Sequence, residues 1–229
     1  MADDTRGVSR RDLLKRAGWA GAALTIPLTP AIPAGVADAT AAAPDLEQQT
    51  PPRREPLENL TAEEMDLLEL ICAKLIPSDA NGPGAREARA AHYIDRALGG
   101  ALREQRDAYR SGLAAFDRYV RSSRRDAFAN LSPRDQDSAL IDVEIGAATG
   151  FAGSSTQFFN MVRTHTLQGT FGDPYYGGNR NFVGWDLLGY PGIRLNVSQA
   201  DQALGAKLEP THRSAYDNDL FTKADRHDH

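Results

Sequence analysis

Between Leu60 and Gln168 the apolar residues recur mainly three and four positions apart, the period of a helix with one buried face. Met65, Leu68, Ile71, Cys72, Leu75 and Ile76 make the first such stripe. Thr61 and Glu64 stand at the spacing of a capping box, Leu60 is placed to staple onto Met65, and Pro77 stops the run. A turn-rich stretch from Pro77 to Gly84 leads to a second helix predicted over 85–98, with Ala88, Ala91, Ile94 and Leu98 inward and Gly99-Gly100 at its end. The third, over 102–124, turns Leu102, Tyr109, Leu113, Phe116 and Val120 inward and its arginines to solvent. Ser132 and Pro133 start a fourth, whose inner residues are expected to be Leu140, Ile141 and Ile145, and which Gly150 and Gly153 close. A fifth covers 155–168, with Phe158, Phe159, Val162 and His165 on adjoining turns. No run alternates strictly, so the expected fold is all-α, a single bundle of about five helices.

The periodicity stops at Gly169. Residues 169 to 192 hold seven of the chain's 20 glycines and six of its 17 aromatic residues. Glycine at that density argues against a helix, and a solvated linker has no use for so many rings. The segment therefore reads as a long ordered loop whose aromatic residues supply rigid contact area, either to a partner or to the bundle itself.

Composition adds little until the N-terminus is considered. Ser9-Arg10-Arg11-Asp12-Leu13-Leu14-Lys15, followed by an uncharged stretch from Ala17 to Ala37, has the form of a twin-arginine export signal, with Ser9, Arg10, Arg11, Leu13, Leu14 and Lys15 as its elements. Pro27, Pro30 and Pro33 break the second half, so the stretch is expected to be cleaved, at Ala37-Asp38-Ala39 or Ala41-Ala42-Ala43, and not to anchor the chain as a transmembrane span. Residues 1–39 are thus read as signal, 40–59 as a proline-rich linker, 60–192 as the helical domain with its loop, and 193–229 as a polar tail. Removing the signal takes the net charge from −5 to −6, since its basic residues outnumber its acidic ones by five to four. That balance, without a basic stripe, argues against a nucleic-acid partner. The lone cysteine, Cys72, lies on an apolar face and reads as a buried, inert thiol.

Candidate chemistry is sparse. There is no Gly-x-Gly-x-x-Gly after a strand, no phosphate loop and no Cys-x-x-Cys-His. His165 with Asp173, and Tyr176 and Asn179 nearby, is the best set for an independent enzyme, since histidine transfers protons near neutral pH. No nucleophile completes it, and a histidine closing an apolar helical face reads as a structural group. His92 and His212 form no short-spaced ligand pair with His165, and His227 and His229 belong to the end of the tail.

Several segments together carry a resemblance. Phe158-Phe159, His165-Thr166-Leu167-Gln168-Gly169-Thr170-Phe171-Gly172-Asp173-Pro174, Tyr176-Gly177-Gly178-Asn179 and Gly184-Trp185-Asp186-Leu187-Leu188-Gly189-Tyr190-Pro191-Gly192 are similar to the C-terminal signature of the gluconate 2-dehydrogenase subunit 3 family. Leu60-Thr61, Leu75-Ile76-Pro77 and Gly82-Pro83-Gly84 extend the likeness upstream, and the tail after Gly192 lies beyond it. The resemblance implies a small helical subunit without catalytic activity or cofactor of its own, serving a flavin-dependent sugar or sugar-acid dehydrogenase. It implies as partners an FAD-bearing catalytic subunit of the glucose-methanol-choline type, a multihaem cytochrome c subunit carrying haem c, and the twin-arginine translocase. The expected location is the periplasm, at the inner membrane through the complex, and the expected task is maturation and co-export of the flavin subunit. A free-standing export escort is the other non-enzymatic reading. Candidate partner contacts are Phe171, Asp173, Pro174, Tyr176, Gly177, Gly178, Asn179, Trp185 and Tyr190.

Overall fold

The computed structural model describes residues 56–221. The signal sequence, its two cleavage sites, most of the linker, and His227 and His229 lie outside the described residues. Among the described residues there are six α-helices and no strand: α1 (Ala62–Leu75), α2 (Ala90–Leu98), α3 (Arg106–Arg124), α4 (Pro133–Glu144), α5 (Ser155–Phe171) and α6 (Val183–Leu188). Short 3₁₀ turns precede α3 and α4 and occupy parts of the segment between α5 and α6. The sequence suggested about five helices, and the sixth is one of the surprises of the loop.

α1 forms as its pattern requires. The Thr61 hydroxyl accepts the Glu64 N–H at 3.2 Å and the Glu64 carboxylate accepts the Thr61 N–H at 2.8 Å, closing the capping box. Met65, Leu68, Ile71 and Cys72 are buried and the helix ends before Pro77. The residues before it are also tied down: Asp95 of α2, itself buried, accepts the backbone N–H groups of Glu58, Asn59 and Leu60 at 2.8 to 3.0 Å. α2 starts five residues later than its apolar spacing suggests. Ala85 is held by the Ile76 carbonyl, Arg89 adopts a left-handed φ of 61°, and the Ala90 N–H reaches back to the Ala85 carbonyl, so 85–89 is a turn. Its expected inner residues Ala88, Ala91, Ile94 and Leu98 are nonetheless buried.

α3 buries Tyr109, Leu113, Phe116 and Val120 of its predicted stripe, but it starts at Arg106 after a 3₁₀ turn, so Leu102 lies before the helix and is only half-buried. Its arginines do more than cover a solvated face. Arg106 donates to the Leu98 carbonyl, Arg110 to the Asn59 carbonyl at 2.7 Å, and Arg124 to Asp142 of α4 at 2.7 Å. α4 has the expected Ser132 cap and Pro133 start, but its inner face is rotated from the one predicted. Ala139, Leu140 and Val143 are buried, whereas Ile141 and Ile145 are 51% and 68% exposed. Two isoleucines four apart looked like a core stripe, but one helix can bury only one stripe. Packing of α4 against α5 selected the smaller side chains. The helix closes at Gly146, φ +80°, and not at Gly150 or Gly153, which lie in the connection to α5.

α5 is the central element, touching α1, α2, α3, α4 and α6. It continues one turn beyond Gln168, through Gly169 to Phe171. Gly169 is a contact residue here and not a breaker: a Cβ on it would stand 2.9 Å from the Ala90 backbone, so its absence lets α5 lie directly on the start of α2.

Candidate functional site

The segment after α5 is built around a side chain that mimics backbone. Asn179, wholly buried, sits at a left-handed φ of 43°, a conformation asparagine tolerates better than most residues. Its N–H donates to the Gly169 carbonyl at 2.7 Å, its side-chain Nδ2 to the Gly172 carbonyl at 2.9 Å, and its Oδ1 accepts the Gly184 N–H at 2.8 Å. Three otherwise orphaned backbone groups around the end of α5 and the start of α6 are thereby satisfied. Next to it, the Arg180 N–H donates to the Ala88 carbonyl, which ties the segment to the turn before α2. Gly184 is required at this junction, because any Cβ there would collide with the Thr170 carbonyl oxygen.

α6 then presents Trp185 inward, 5% exposed, with its indole N–H donating to the Phe171 carbonyl at 2.9 Å and its ring edge-on to Tyr190 at 4.9 Å. The segment is thus ordered, as expected, but its interior is helical and 3₁₀ turns instead of irregular chain. Gly178, Asn179 and Trp185, among the candidate partner contacts, are buried within this chain, with the side chains of Asn179 and Trp185 hydrogen-bonded to its own backbone. Phe171, Asp173, Pro174 and Gly177 are half-buried, while Tyr176 and Tyr190 are exposed, together with Tyr175 and Leu188.

The polar tail, on which the sequence signature is silent, closes over this surface. Asp173 caps the turn at Pro174 by accepting the Tyr175 N–H, and its carboxylate also accepts the Ser214 hydroxyl at 2.6 Å and the Ala215 N–H at 2.9 Å. The Tyr216 ring stacks on Tyr175 with centroids 3.8 Å apart, and the Tyr216 and Tyr176 hydroxyls are 2.6 Å from each other. His212 pairs with Asp186 at 2.7 Å and lies flat against Phe182. Sequence reasoning missed Ser214 and Tyr216, although Ser214-x-x-Asp217 is a readable capping box that the structure forms.

His165 and Asp173 have separate hydrogen-bond partners. His165 is buried on α5 and its Nδ1 meets the Tyr109 hydroxyl of α3 at 2.7 Å, the two rings stacked, while Asp173 serves Tyr175, Ser214 and Ala215. Burial holds the imidazole pKa below its ordinary value and pushes the Tyr109 phenol well above its own, so this pair is neutral at physiological pH. Cys72 lies deeper in the core, where burial pushes the thiol up to about 12. Because Thr166 gives its own hydroxyl proton to the Val162 carbonyl, the thiol donates to Thr166, 3.2 Å away. These are the features of a packed, satisfied interior.

The buried amides of Asn179 and Gly184 are already engaged, and no strand among the described residues leads into a phosphate-binding turn. Among the described residues no group of three or more His, Cys, Asp or Glu side chains could hold a metal ion, and no helix is long and apolar enough to cross a membrane.

Comparison with known proteins yields one relationship. Neither curated proteins nor solved structures gave a match. The family model for gluconate 2-dehydrogenase subunit 3 matches residues 62–192, from the first residue of α1 to the end of the latched segment and more than half of the 229-residue chain. The chain, whose helical domain ends in the segment latched by Asn179, therefore belongs to the gluconate 2-dehydrogenase subunit 3 family.

Proposed function

We propose that the chain is a non-catalytic small subunit of a periplasmic, FAD-dependent dehydrogenase that oxidises a sugar or sugar acid. Its task is to support maturation of the flavin subunit and to carry it out of the cytoplasm through the twin-arginine route. One observation carries the reading: the family-matched segment turns its buried polar side chains on its own backbone and leaves Tyr175, Tyr176, Leu188 and Tyr190 on the outside. Such a surface offers rigid aromatic area to a protein partner and no acid–base pair to a substrate. In the complex, the flavin subunit takes hydride from the substrate, and electrons pass on to a haem c subunit or quinone. A chain with no cofactor of its own gains from an export route for folded cargo when it travels with a subunit that is loaded before crossing. The signal at Arg10 and Arg11 then serves both.

Co-expression with the flavin-bearing subunit tests this. The wild-type chain is expected to retain that subunit through purification, and the Tyr175→Ser/Tyr176→Ser/Tyr190→Ser variant to lose it while keeping its helical circular dichroism. Arg10→Lys with Arg11→Lys should leave both proteins in the cytoplasm. Normal periplasmic delivery of the flavin subunit by the double-lysine variant would refute shared export.

A further inference from the structure

The outer side of α1 departs from what a bundle helix shows to water. Leu67 and Leu70 lie off the stripe formed by Met65, Leu68, Ile71 and Cys72, are only half-buried, and face a groove of about 460 Å³ between α1 and α3. Leu113 and Phe128 are buried at its floor. Its walls are low where α3 presents the small, exposed Ala114 and the adjoining chain contributes Ala127 and, in the 3₁₀ turn after it, Ala129. The rim is one-sided in charge. Among the described residues that line it, Glu63, Glu64, Asp66 and Asp117 are acidic and Arg121 is the one cation, its guanidinium engaged by Asp117 at 2.8 Å.

We propose that this groove docks one amphipathic helix from a second subunit of the dehydrogenase, with large apolar side chains along its seam and Lys or Arg on its flanks. The inference rests on the reading of this chain as a subunit, and it identifies the surface. α1 offers Glu63, Leu67 and Leu70, and α3 offers Leu113, Ala114, Asp117 and Arg121, each set at the spacing of one helical stripe. Two such stripes side by side form the seat of a third helix, with apolar anchors in the floor and charges paired across the rim. The alanines allow the visiting backbone to come close. The acidic border repels an anionic membrane surface and a nucleic-acid backbone, and selects a cationic partner.

The probes are two synthetic helices with a leucine seam, one flanked by lysine and the other by glutamate, titrated into the full chain. The lysine helix is expected to bind at least roughly tenfold more tightly, and Ala114→Trp, which fills the groove from an exposed position, and Glu63→Lys/Asp66→Lys should each abolish that preference. Circular dichroism checks that each variant is folded. In parallel, a photo-crosslinking amino acid at position 114 of the otherwise wild-type chain, co-expressed with the flavin-bearing subunit, is expected to label a basic amphipathic segment of that subunit. Equal affinity for the two helices overturns the proposal, as does labelling of lipid, of a second copy of this chain, or of nothing. If the subunits co-purify without a crosslink from position 114, the groove assignment fails while the subunit reading stands. If they do not associate, the subunit reading fails, and the titration still decides whether the groove takes a cationic helix.

Discussion

Asn179→Ala is the sharpest test of the latch. The substitution strips the Gly184 N–H, which is buried, of its acceptor and the Gly172 carbonyl, which is partly buried, of a donor. A buried group left unsatisfied costs about 1–3 kcal/mol, and a partly exposed one, which water can serve, costs less. Alanine must also hold the φ of 43°, at about 1–2 kcal/mol. The sum is about 3–5 kcal/mol, a large part of the total stability of a domain of this size. At about 2–4 °C for each kcal/mol, the melting temperature of the full chain should fall by roughly 6–20 °C. If instead the segment opens on its own, the loss appears as faster amide exchange at Gly184 and Trp185 with the bundle still protected. Asn179→Asp separates geometry from chemistry. It keeps the acceptor for Gly184 and the tolerance of the left-handed region, but sets a carboxylate oxygen against the Gly172 carbonyl. That variant should be impaired at neutral pH and recover as acid protonates the carboxyl and restores a donor. A melting temperature within 2 °C or so of wild type for Asn179→Ala, with unchanged exchange at Gly184, would refute the argument that these bonds hold the segment.

Asp95→Ala removes the acceptor of three backbone N–H groups, so urea denaturation should show a loss of about 2–4 kcal/mol, and proteolysis should begin around Glu58 to Leu60; an unchanged midpoint would mean that the N-terminal approach to α1 contributes nothing. Cys72, raised to about 12 and buried, should resist iodoacetamide in the native protein and react only after denaturation, so rapid native labelling would contradict the core placement. His165 takes up a proton less readily when folded than when unfolded. Stability should therefore be undiminished above about pH 6.5 and fall as the pH drops below that value. His165→Gln should flatten the pH dependence, measured as the urea midpoint between pH 7 and pH 5, relative to wild type.

How much of this was legible in the sequence depends on the range of the interaction. The capping box at Thr61, the Ser132-Pro133 start of α4, and the stripes of α1, α3 and α5 are set by residues three or four apart, and each could be read locally because the helix itself brings those residues together. The family signature was equally plain, since it is a matter of residue order. The orientation of α4 was not local. The sequence pointed to Ile141 and Ile145 beside Leu140, but Ala139 and Val143 are apolar too, and contact with α5 buried them and left the isoleucines exposed. Nor was the meaning of the glycines. Gly169 and Gly184 looked like marks of irregular chain, yet one lies within a helix and the other opens one. Each is needed because another piece of backbone, Ala90 or Thr170, passes where a Cβ would stand. Asn179 reads on paper as an ordinary polar loop residue, and Ser214 and Tyr216 as parts of an uninformative tail. Only the folded chain brings Asn179 to Gly172 and Gly184, and carries Ser214 and Tyr216 across some forty positions to Asp173 and Tyr176. Short-range order follows from helix geometry, which the sequence writes out residue by residue; which backbone groups lie within reach of a buried amide is decided by how the helices pack.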